Sequence, residues 1–341
     1  MITAFGAGLQ PPARVEAVVA RLESGLDQGG YLDGLRCASP HIWLSLHLHM
    51  SDVSQESIKN DADVGFRRFP STAFSNTATY NLSDPALAPA TRAELEYRLK
   101  KLKRTYQGAV HFYDKGRNEN AWCDDVVRPT IKLALRLYAK GKLSLQSVQS
   151  QSVDSNFLPR LIESSREQRV LDRKIDYILS YSDDALSCEG LYTRLLQQRD
   201  EVVSHTIEAY TRTTTVFSGV EVKASDGNTF GAQYQLSIWM GASLRKKAQL
   251  ARRVGLADTS CLVEPSFKIV GHELTSHVAY ISPEQDDIVH IQEFGSAKSN
   301  TISGVFQQLK MWQKVVEYGL DESSDGFLGR LSGARIKMTG V

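Results

Sequence analysis

The sequence has 341 residues, 42% of them hydrophobic and 23% charged, and this ordinary composition excludes a wholly disordered or fibrous chain. A formal net charge of +1 excludes a strong overall attraction to nucleic acid or to an anionic membrane, so any such attraction has to be local. The N-terminus lacks the pattern of a secretion signal, and no stretch approaches the roughly 18 apolar residues of a membrane span. The widely spaced cysteines form no CxxC pair and predict reduced thiols: Cys37, Cys123, Cys188 and Cys261. We therefore expect an intracellular protein, cytoplasmic or nuclear, with no membrane-bound part.

Residues 1–90 are predicted to form an N-terminal extension that is partly helical and partly irregular. Apolar side chains at helical spacing predict a helix over residues 11–28, and alternating side chains predict a short strand from His41 to Met50. His47 and His49 share one face of that strand, but without a third ligand a surface or core pair is the simpler interpretation. Residues 51–92 are polar and aperiodic, which predicts a linker.

The main domain is predicted over residues 91–325, with a C-terminal tail at 326–341. It begins with helices at 90–107 and 118–140, and Pro129 is expected to kink or split the second helix. After a polar stretch at 141–168, short apolar runs predict strands at 173–180, 214–224, 266–274, 277–282 and 288–294. The later helices are predicted at 188–203, 229–253 and 304–318. Helices on both sides of a short mixed sheet make a three-layer α/β sandwich the simplest architecture.

The strand Gly219-Val220-Glu221-Val222-Lys223 contains the most informative polar pattern in the chain. Side chains alternate along a strand, so Glu221 and Lys223 share one face while the valines pack on the other. A Glu-x-Lys triplet alone is weak evidence, because a surface ion pair explains it equally well. Asp176 strengthens the pattern, since it lies among apolar strand residues, where a charge is costly unless it is paired or binds a metal. Pairing with a neighbouring cation is the alternative for this residue.

Further segments surround these strands in a recognisable order. They are Asn118-Glu119-x-x-Trp122 leading to Pro129 and Leu133-Ala134-Leu135, Ser204-His205-Thr206, Ala232 to Trp239, and Phe294-Gly295 to Trp312. With an Asp strand before Glu-x-Lys, this order resembles the fungal proteins grouped as PD-(D/E)XK nuclease-like, over roughly residues 90–320. The resemblance implies a restriction-endonuclease-like α/β fold, a three-layer sandwich with a central mixed β-sheet flanked by helices. The long interval between the Asp and Glu-x-Lys strands requires an inserted helix, which the family also contains.

The resemblance also implies a site for a divalent metal ion, Mg²⁺ or Mn²⁺. Asp176, Glu221 and the main-chain carbonyl of Val222 would ligate the ion, which prefers hard oxygen ligands and retains water. Lys223 would orient the attacking water or neutralise charge on the phosphate. Glu119 would reach in from the first helix as an additional acid, with a place on an exposed helix face as the alternative.

A second set of residues is expected to contact the substrate. By the resemblance, Gln235 and Gln233 would hold the substrate backbone or a water, although both are also ordinary helix residues. Arg245, Lys246 and Lys247, followed by two arginines, are positioned on the long helix where they could contact phosphates. Cations also favour a helix C-terminus for dipole reasons, and that alternative stays open.

The leading hypothesis from the sequence is a metal-dependent phosphodiesterase that acts on nucleic acid. The alternative is an enzyme of fungal secondary metabolism that uses the same acidic pocket on a small molecule for hydrolysis, cyclisation or decarboxylation. A catalytically silent binding module is a third possibility, against which the intact Asp, Glu and Lys argue, because a silent domain has no reason to keep them. The sequence leaves the oligomeric state open.

Overall fold

The computed structural model describes residues 2–3, 11–24, 26, 89–162, 168–182, 202–253, 256, 262–282 and 288–324. The strand expected at 41–50 lies outside these residues, as does the tail at 326–341. Nearly all of the expected linker at 51–92 and of the expected helix at 188–203 also lies outside them.

The centre of the described fold is one mixed β-sheet. In chain order its strands are β1 (Ile2–Thr3), β2 (Leu143–Ser147), β5 (Tyr177–Tyr181), β6 (Val216–Lys223), β7 (Val263–Val270), β8 (Glu273–Ile281) and β9 (Val289–Lys298). A separate hairpin contains β3 (Arg160–Ile162) and β4 (Gln168–Val170). Across the sheet the strands lie in the order β1-β9-β8-β7-β6-β5-β2. The pairs β6–β7 and β1–β9 are parallel and the others antiparallel.

Helices cover both faces of this sheet. They are α1 (Ala13–Glu23), α2 (Pro89–Asp114), α3 (residues 119–139), α4 (Thr229–Arg253) and α5 (Ile302–Ser324). Helix α4 packs on β6 and β7, while α5 packs on α3, α2 and β9 from the other side. The helix expected at 229–253 is confirmed, and the whole arrangement is the α/β fold that the sequence predicts, with a central mixed sheet flanked by helices.

Helix α3 passes through Pro129 without ending there. Its sections are Glu119–Trp122 (α), Cys123–Val127 (π), Arg128–Ala134 (α) and Leu135–Ala139 (π). Pro129 has no N–H to donate and sits in the first turn of the second α section, where a missing donor costs little. Because the π section before it absorbs the change in hydrogen bonding, the helix changes register instead of breaking.

Two parts of the sheet differ from the sequence expectation. The polar stretch at 141–168 contains β2, an edge strand that pairs with β5 and joins Ser144 Oγ to Ser180 Oγ at 2.8 Å. An edge strand tolerates such polar side chains because one of its sides has no strand to pair with. The strands expected at 266–274 and 277–282 are instead β7 and β8, with their turn at Gly271 (φ +52°) rather than near residue 275.

The first helix packs into the same hydrophobic core as the sheet. Val15, Val18 and Leu22 of α1 are buried, and Arg21 pairs with Asp321 of α5 at 2.6 Å. The ion pair is largely exposed, so the apolar face of α1 provides most of the stabilisation. The domain boundary near residue 90 stays a prediction.

Candidate active site

Asp176 lies directly beside the Glu-x-Lys strand. It precedes β5, whose residue Tyr177 pairs with Val220 of the antiparallel β6. The backbone N–H of Asp176 donates to the carbonyl of Val220 at 3.2 Å, and the N–H of Val222 donates to Asp176 Oδ2 at 2.7 Å. The carboxylate is therefore fixed next to Glu221 by the main chain of the neighbouring strand.

Glu221 and Lys223 lie on the face of β6 that α4 covers. An added Cβ at Gly219 on that face would lie only 2.8 Å from Met240 Sδ and 2.9 Å from Ile175 Cδ1. The absence of a side chain at this position allows α4 to approach closely. Glu221 is only 1% exposed, and its Oε1 lies 2.6 Å from Lys223 Nζ. The two residues therefore form a buried ion pair rather than a surface one.

Glu119 completes the cluster from the start of α3. Asn118 caps this helix, since its Oδ1 accepts from the N–H of Ala121 at 3.1 Å. The cap fixes the first turn, from which Glu119 Oε2 reaches Lys223 Nζ at 3.0 Å. The Glu119 side chain is 39% exposed, so it lies at the mouth of the site. One ammonium group therefore serves a site that contains the carboxylates of Glu119, Asp176 and Glu221.

Burial and this excess of acid determine the ionisation of the site. Burial, and next the charge of Asp176, raises the pKa of Glu221 to about 8 against the opposing effect of Lys223. Burial also raises the pKa of Asp176, although hydrogen bonds from Gln149 and Val222 act in the opposite direction. For Lys223, burial lowers the pKa, but the pairs with Glu221 and Glu119 outweigh it and raise the pKa overall. Lys223 therefore keeps its positive charge, which only partly compensates the two buried acids, Asp176 and Glu221.

Comparison with protein families matches residues 63–322 to the PD-(D/E)XK nuclease superfamily. This chain belongs to that superfamily. The match spans every residue of the cluster from Glu119 to Lys223. Searches among curated proteins and among solved structures each found no match. No helix in the described part of the chain is long and apolar enough to cross a membrane.

The site also contains two residues that were not expected from the sequence. Gln149 Nε2 donates to Asp176 Oδ1 at 2.7 Å and lies 3.7 Å from the Sγ of Cys123. Burial, and next the charge of Asp176, raises the pKa of the Cys123 thiol, so Cys123 stays protonated. The position of Cys123 one turn after Glu119 was a usable signal. No signal in the sequence indicated Gln149, because it follows β2, a strand whose polar residues lack the apolar pattern that predicts a strand.

The two expected glutamines of α4 differ in their contacts, and only Gln235 has one that leads to the site. Gln235 Nε2 donates to the carbonyl of Lys174 at 2.9 Å and so holds the backbone two residues before Asp176. Gln233 has a buried Oε1 that makes no hydrogen bond with any residue the structure describes. The side chain of Gln235 therefore supports the backbone before Asp176, while the Oε1 of Gln233 has no donor among the described residues.

The basic residues expected to contact phosphates lie farther along α4. Arg245 is ten residues beyond Gln235, or about 15 Å along the helix axis. It donates to the carbonyl of Phe157 at 3.1 Å, and Lys246 Nζ lies 5.4 Å from the centre of the Phe157 ring. Lys247 pairs with the buried Glu264. The structure does not bring these cations to the carboxylate cluster, and their contact with substrate stays a prediction.

The oxygen ligands at the site fit a hard divalent cation. Among the described residues, no three His, Cys, Asp or Glu side chains are grouped in a way that would hold a metal ion. Asp176 and Glu221 nevertheless provide two adjacent buried carboxylates, and the Val222 carbonyl would add a third oxygen of the kind that Mg²⁺ prefers. The charge of Asp176 raises the pKa of Glu221, and the charge of Glu119 raises the pKa of both buried acids; a bound cation would offset this repulsion. Nucleases of the superfamily typically use divalent metals.

Proposed function

We propose that this chain is a metal-dependent phosphodiesterase that hydrolyses nucleic acid. The observation that supports this most directly is the excess of buried acid around Lys223. Asp176 and Glu221 are almost fully buried, and among the described residues the ion pairs of this cluster are those of Lys223 with Glu221 and Glu119, with none to Asp176. Evolution of a purely structural cluster would favour one cation for each acid, because uncompensated buried charge is destabilising. A site that binds a divalent cation tolerates the excess.

Asp176, Glu221 and the carbonyl of Val222 would hold Mg²⁺ or Mn²⁺. The bound ion would acidify the attacking water and stabilise charge on the phosphodiester. Hydrolysis joins the water oxygen to phosphorus and breaks the bond to the leaving oxygen, which gains a proton. Lys223 stays protonated and provides positive charge where the phosphate becomes more negative.

Two further residues would keep this arrangement in place. Glu119 holds the Lys223 ammonium from the solvent side at 3.0 Å, so the cation is fixed between two acids. Gln233, whose Oε1 is buried and unbonded to described residues, would accept a hydrogen bond from substrate or water. Gln235 would act indirectly, because its bond to the Lys174 carbonyl positions the segment that contains Asp176.

Cleavage assays on labelled single- and double-stranded DNA and RNA, with Mg²⁺ or Mn²⁺, would test the proposal. The wild type should cleave at least one of these substrates. Asp176→Asn keeps the shape of the side chain but removes its charge, so it should abolish cleavage. Lys223→Met should lower the rate about 100- to 1000-fold, as expected when a group that stabilises transition-state charge is removed. Asp321→Asn makes the same chemical change at an exposed position and should leave cleavage unchanged.

A melting experiment provides the control for metal binding. Mg²⁺ at about a hundred times its Kd should stabilise the wild type and Asp321→Asn by about 2.7 kcal/mol, but should not stabilise Asp176→Asn. A folded wild type that binds the metal but cleaves no nucleic acid would overturn the proposal. The small-molecule enzyme would then become the leading hypothesis.

A further inference from the structure

Three large aromatic side chains around the candidate active site are exposed to solvent. Phe230 is 87% exposed, Tyr113 54% and Tyr234 41%. An aromatic ring that stays in water forgoes the stabilisation that burial would give, so three such rings near one site contribute little to folding. Single exposed apolar residues are common on proteins, whereas a group beside a catalytic cluster indicates a binding surface.

Tyr113 lies on the side of the site formed by α2 and the β7–β8 turn. Its ring centre is 4.8 Å from that of His272, with the planes inclined at 32°. The turn that contains His272 is hydrogen-bonded to the end of β6, because the N–H of Gly271 donates to the carbonyl of Lys223 at 3.0 Å. Tyr113 also comes six residues before Glu119. An aromatic surface therefore lies next to the Lys223 end of the site.

Phe230 and Tyr234 lie on the other side, in the first two turns of α4. The next residue, Gln235, is bonded to the carbonyl of Lys174, two residues before Asp176. The guanidinium of Arg173 lies 5.6 Å from the centre of the Tyr234 ring. A second aromatic surface, accompanied by a cation, therefore lies next to the Asp176 end of the site.

The charged residues around the two aromatic surfaces are only moderately favourable for binding a polyanion. The positive residues are Lys115, Arg117 and Arg173, which are exposed, and Lys174, which is half-buried. Exposed acids, among them Asp114 and Asp226, reduce the net charge of the same region. Positive charge is present for contact with phosphates, but the aromatic surfaces are the more distinctive feature.

We propose that Tyr113 with His272, and Phe230 with Tyr234, form two stacking surfaces that bind unpaired bases on either side of the Asp176–Glu221–Lys223 site. The substrate class is then single-stranded nucleic acid, or a strand with a single-stranded end. This inference rests on the proposed function, since it assigns the substrate of the same site. Bases inside a duplex already have both faces stacked, so only unpaired bases offer a free face to these rings. Stacking is tolerant of sequence, and the surfaces would therefore select for unpaired bases rather than for particular ones.

Binding measured without metal would test the inference separately from catalysis. Fluorescence anisotropy in EDTA would compare a 12-nucleotide single strand, the same strand with abasic sites, and the corresponding duplex. The wild type should bind the ordinary single strand most tightly. Tyr113→Ala and Phe230→Ala should each weaken that binding about tenfold and leave binding of the abasic strand unchanged, because the abasic strand retains its phosphates but offers nothing to stack.

Tyr97→Ala is the matched control. Tyr97 lies on α2 as well, with Arg136 4.1 Å over its ring, but sixteen residues and about 24 Å along the helix from Tyr113. This variant should bind all three oligonucleotides as the wild type does.

The outcomes separate this inference from the proposed function. Equal losses on the ordinary and abasic strands, no loss in either variant, tighter binding of the duplex, or no binding of any oligonucleotide would overturn the stacking surfaces. Base-dependent binding by a protein that hydrolyses nothing would retain the surfaces and remove the phosphodiesterase. Metal-dependent cleavage that is unchanged in both aromatic variants would retain the phosphodiesterase and remove the stacking surfaces.

Discussion

Two buried glutamate–lysine pairs lie on the α4 side of the sheet, and they differ in how their charge is balanced. Glu264 in β7 pairs with Lys247 and accepts a hydrogen bond from Ser243 Oγ at 3.1 Å. Glu221 in β6 pairs with Lys223, but that lysine also serves Glu119, and Asp176 lies beside them. Glu264 is four residues from Lys268, the strand partner of Glu221, which separates the two pairs by about 13 Å along the strand.

From this difference we propose a structural role for the Glu264–Lys247 pair and a chemical role for the Glu221–Lys223 pair. At Glu264 one acid has one cation, and a hydroxyl group supports the acid. At Glu221 the acids outnumber the cation, and burial and the charge of Asp176 raise the pKa of Glu221 to about 8. We therefore propose that the same residue types at the same depth serve different purposes, and that the ratio of charges distinguishes them better than the Glu-x-Lys spacing does.

Removing the lysine from each pair should give the largest difference between them. Lys247→Met removes the cation that pairs with the buried Glu264, so it should lower the free energy of unfolding by about 3 kcal/mol at pH 7. Lys223→Met should cost less than about 1 kcal/mol, because the Glu221 carboxyl group, whose pKa is already raised to about 8, takes up a proton once the ammonium group that lowers its pKa is gone. Urea unfolding of the two variants beside the wild type would measure both changes.

Equal losses in the two lysine variants would contradict the comparison, because both pairs would then be structural. The Lys247→Met protein also tests the expected contact of that residue with substrate. Cleavage that falls much further than stability in this variant would favour that contact. Unchanged cleavage by the folded protein would favour a structural role.

The pH dependence of stability should separate the two glutamates next. The folded state raises the pKa of Glu221, so it binds a proton that the unfolded state has lost between about pH 4.5 and pH 8. The unfolded state binds fewer protons in that window, and the free energy of unfolding therefore falls as pH rises through it. Glu221→Gln removes the ionisation and should be more stable than wild type by at least about 2 kcal/mol at pH 9, with little difference at pH 5.

Glu264→Gln is the matched control, since it makes the same change in the balanced pair. It should leave Lys247 without a partner, lower stability, and retain the fall in stability between pH 5 and pH 8. Urea unfolding at a series of pH values would show this contrast. A Glu221→Gln protein whose stability falls with pH as steeply as that of wild type would remove the assignment of the raised pKa to Glu221.

The elements that sequence alone predicted well are those whose pattern is local. The apolar stripe of α4 gave the bounds Thr229–Arg253, and the β6 strand was placed within two residues at its N-terminal end. Strand alternation put Glu221 and Lys223 on one face, and the structure brings Glu119 and Asp176 to them. Each of these inferences needed only the period of a helix or strand, together with a motif whose order resembles a family.

The features that sequence missed depend on contacts between distant segments. Lys247 was grouped with its basic neighbours because its partner Glu264 belongs to another strand. The strand β2 was missed because its polar side chains suit only the edge position that pairing with β5 gives it. The role of Gln149 was missed for the same reason, since it follows β2 and meets Asp176 only when the two strands pair.

Gln149 gives the smallest expected effect and tests whether that missed contact matters for the site. Its amide holds Asp176 Oδ1 at 2.7 Å and stabilises the ionised carboxylate, as the downward effect of this hydrogen bond on the pKa of Asp176 indicates. Gln149→Leu should therefore weaken Mg²⁺ binding about tenfold, which is typical when the support of a metal ligand is removed. Calorimetric titration with Mg²⁺ would measure the change, and Gln146→Leu, which removes an amide bonded to Ser180 instead, should leave the affinity unchanged. An equal loss in both variants would mean that packing at the β2 edge, rather than orientation of Asp176, controls the site.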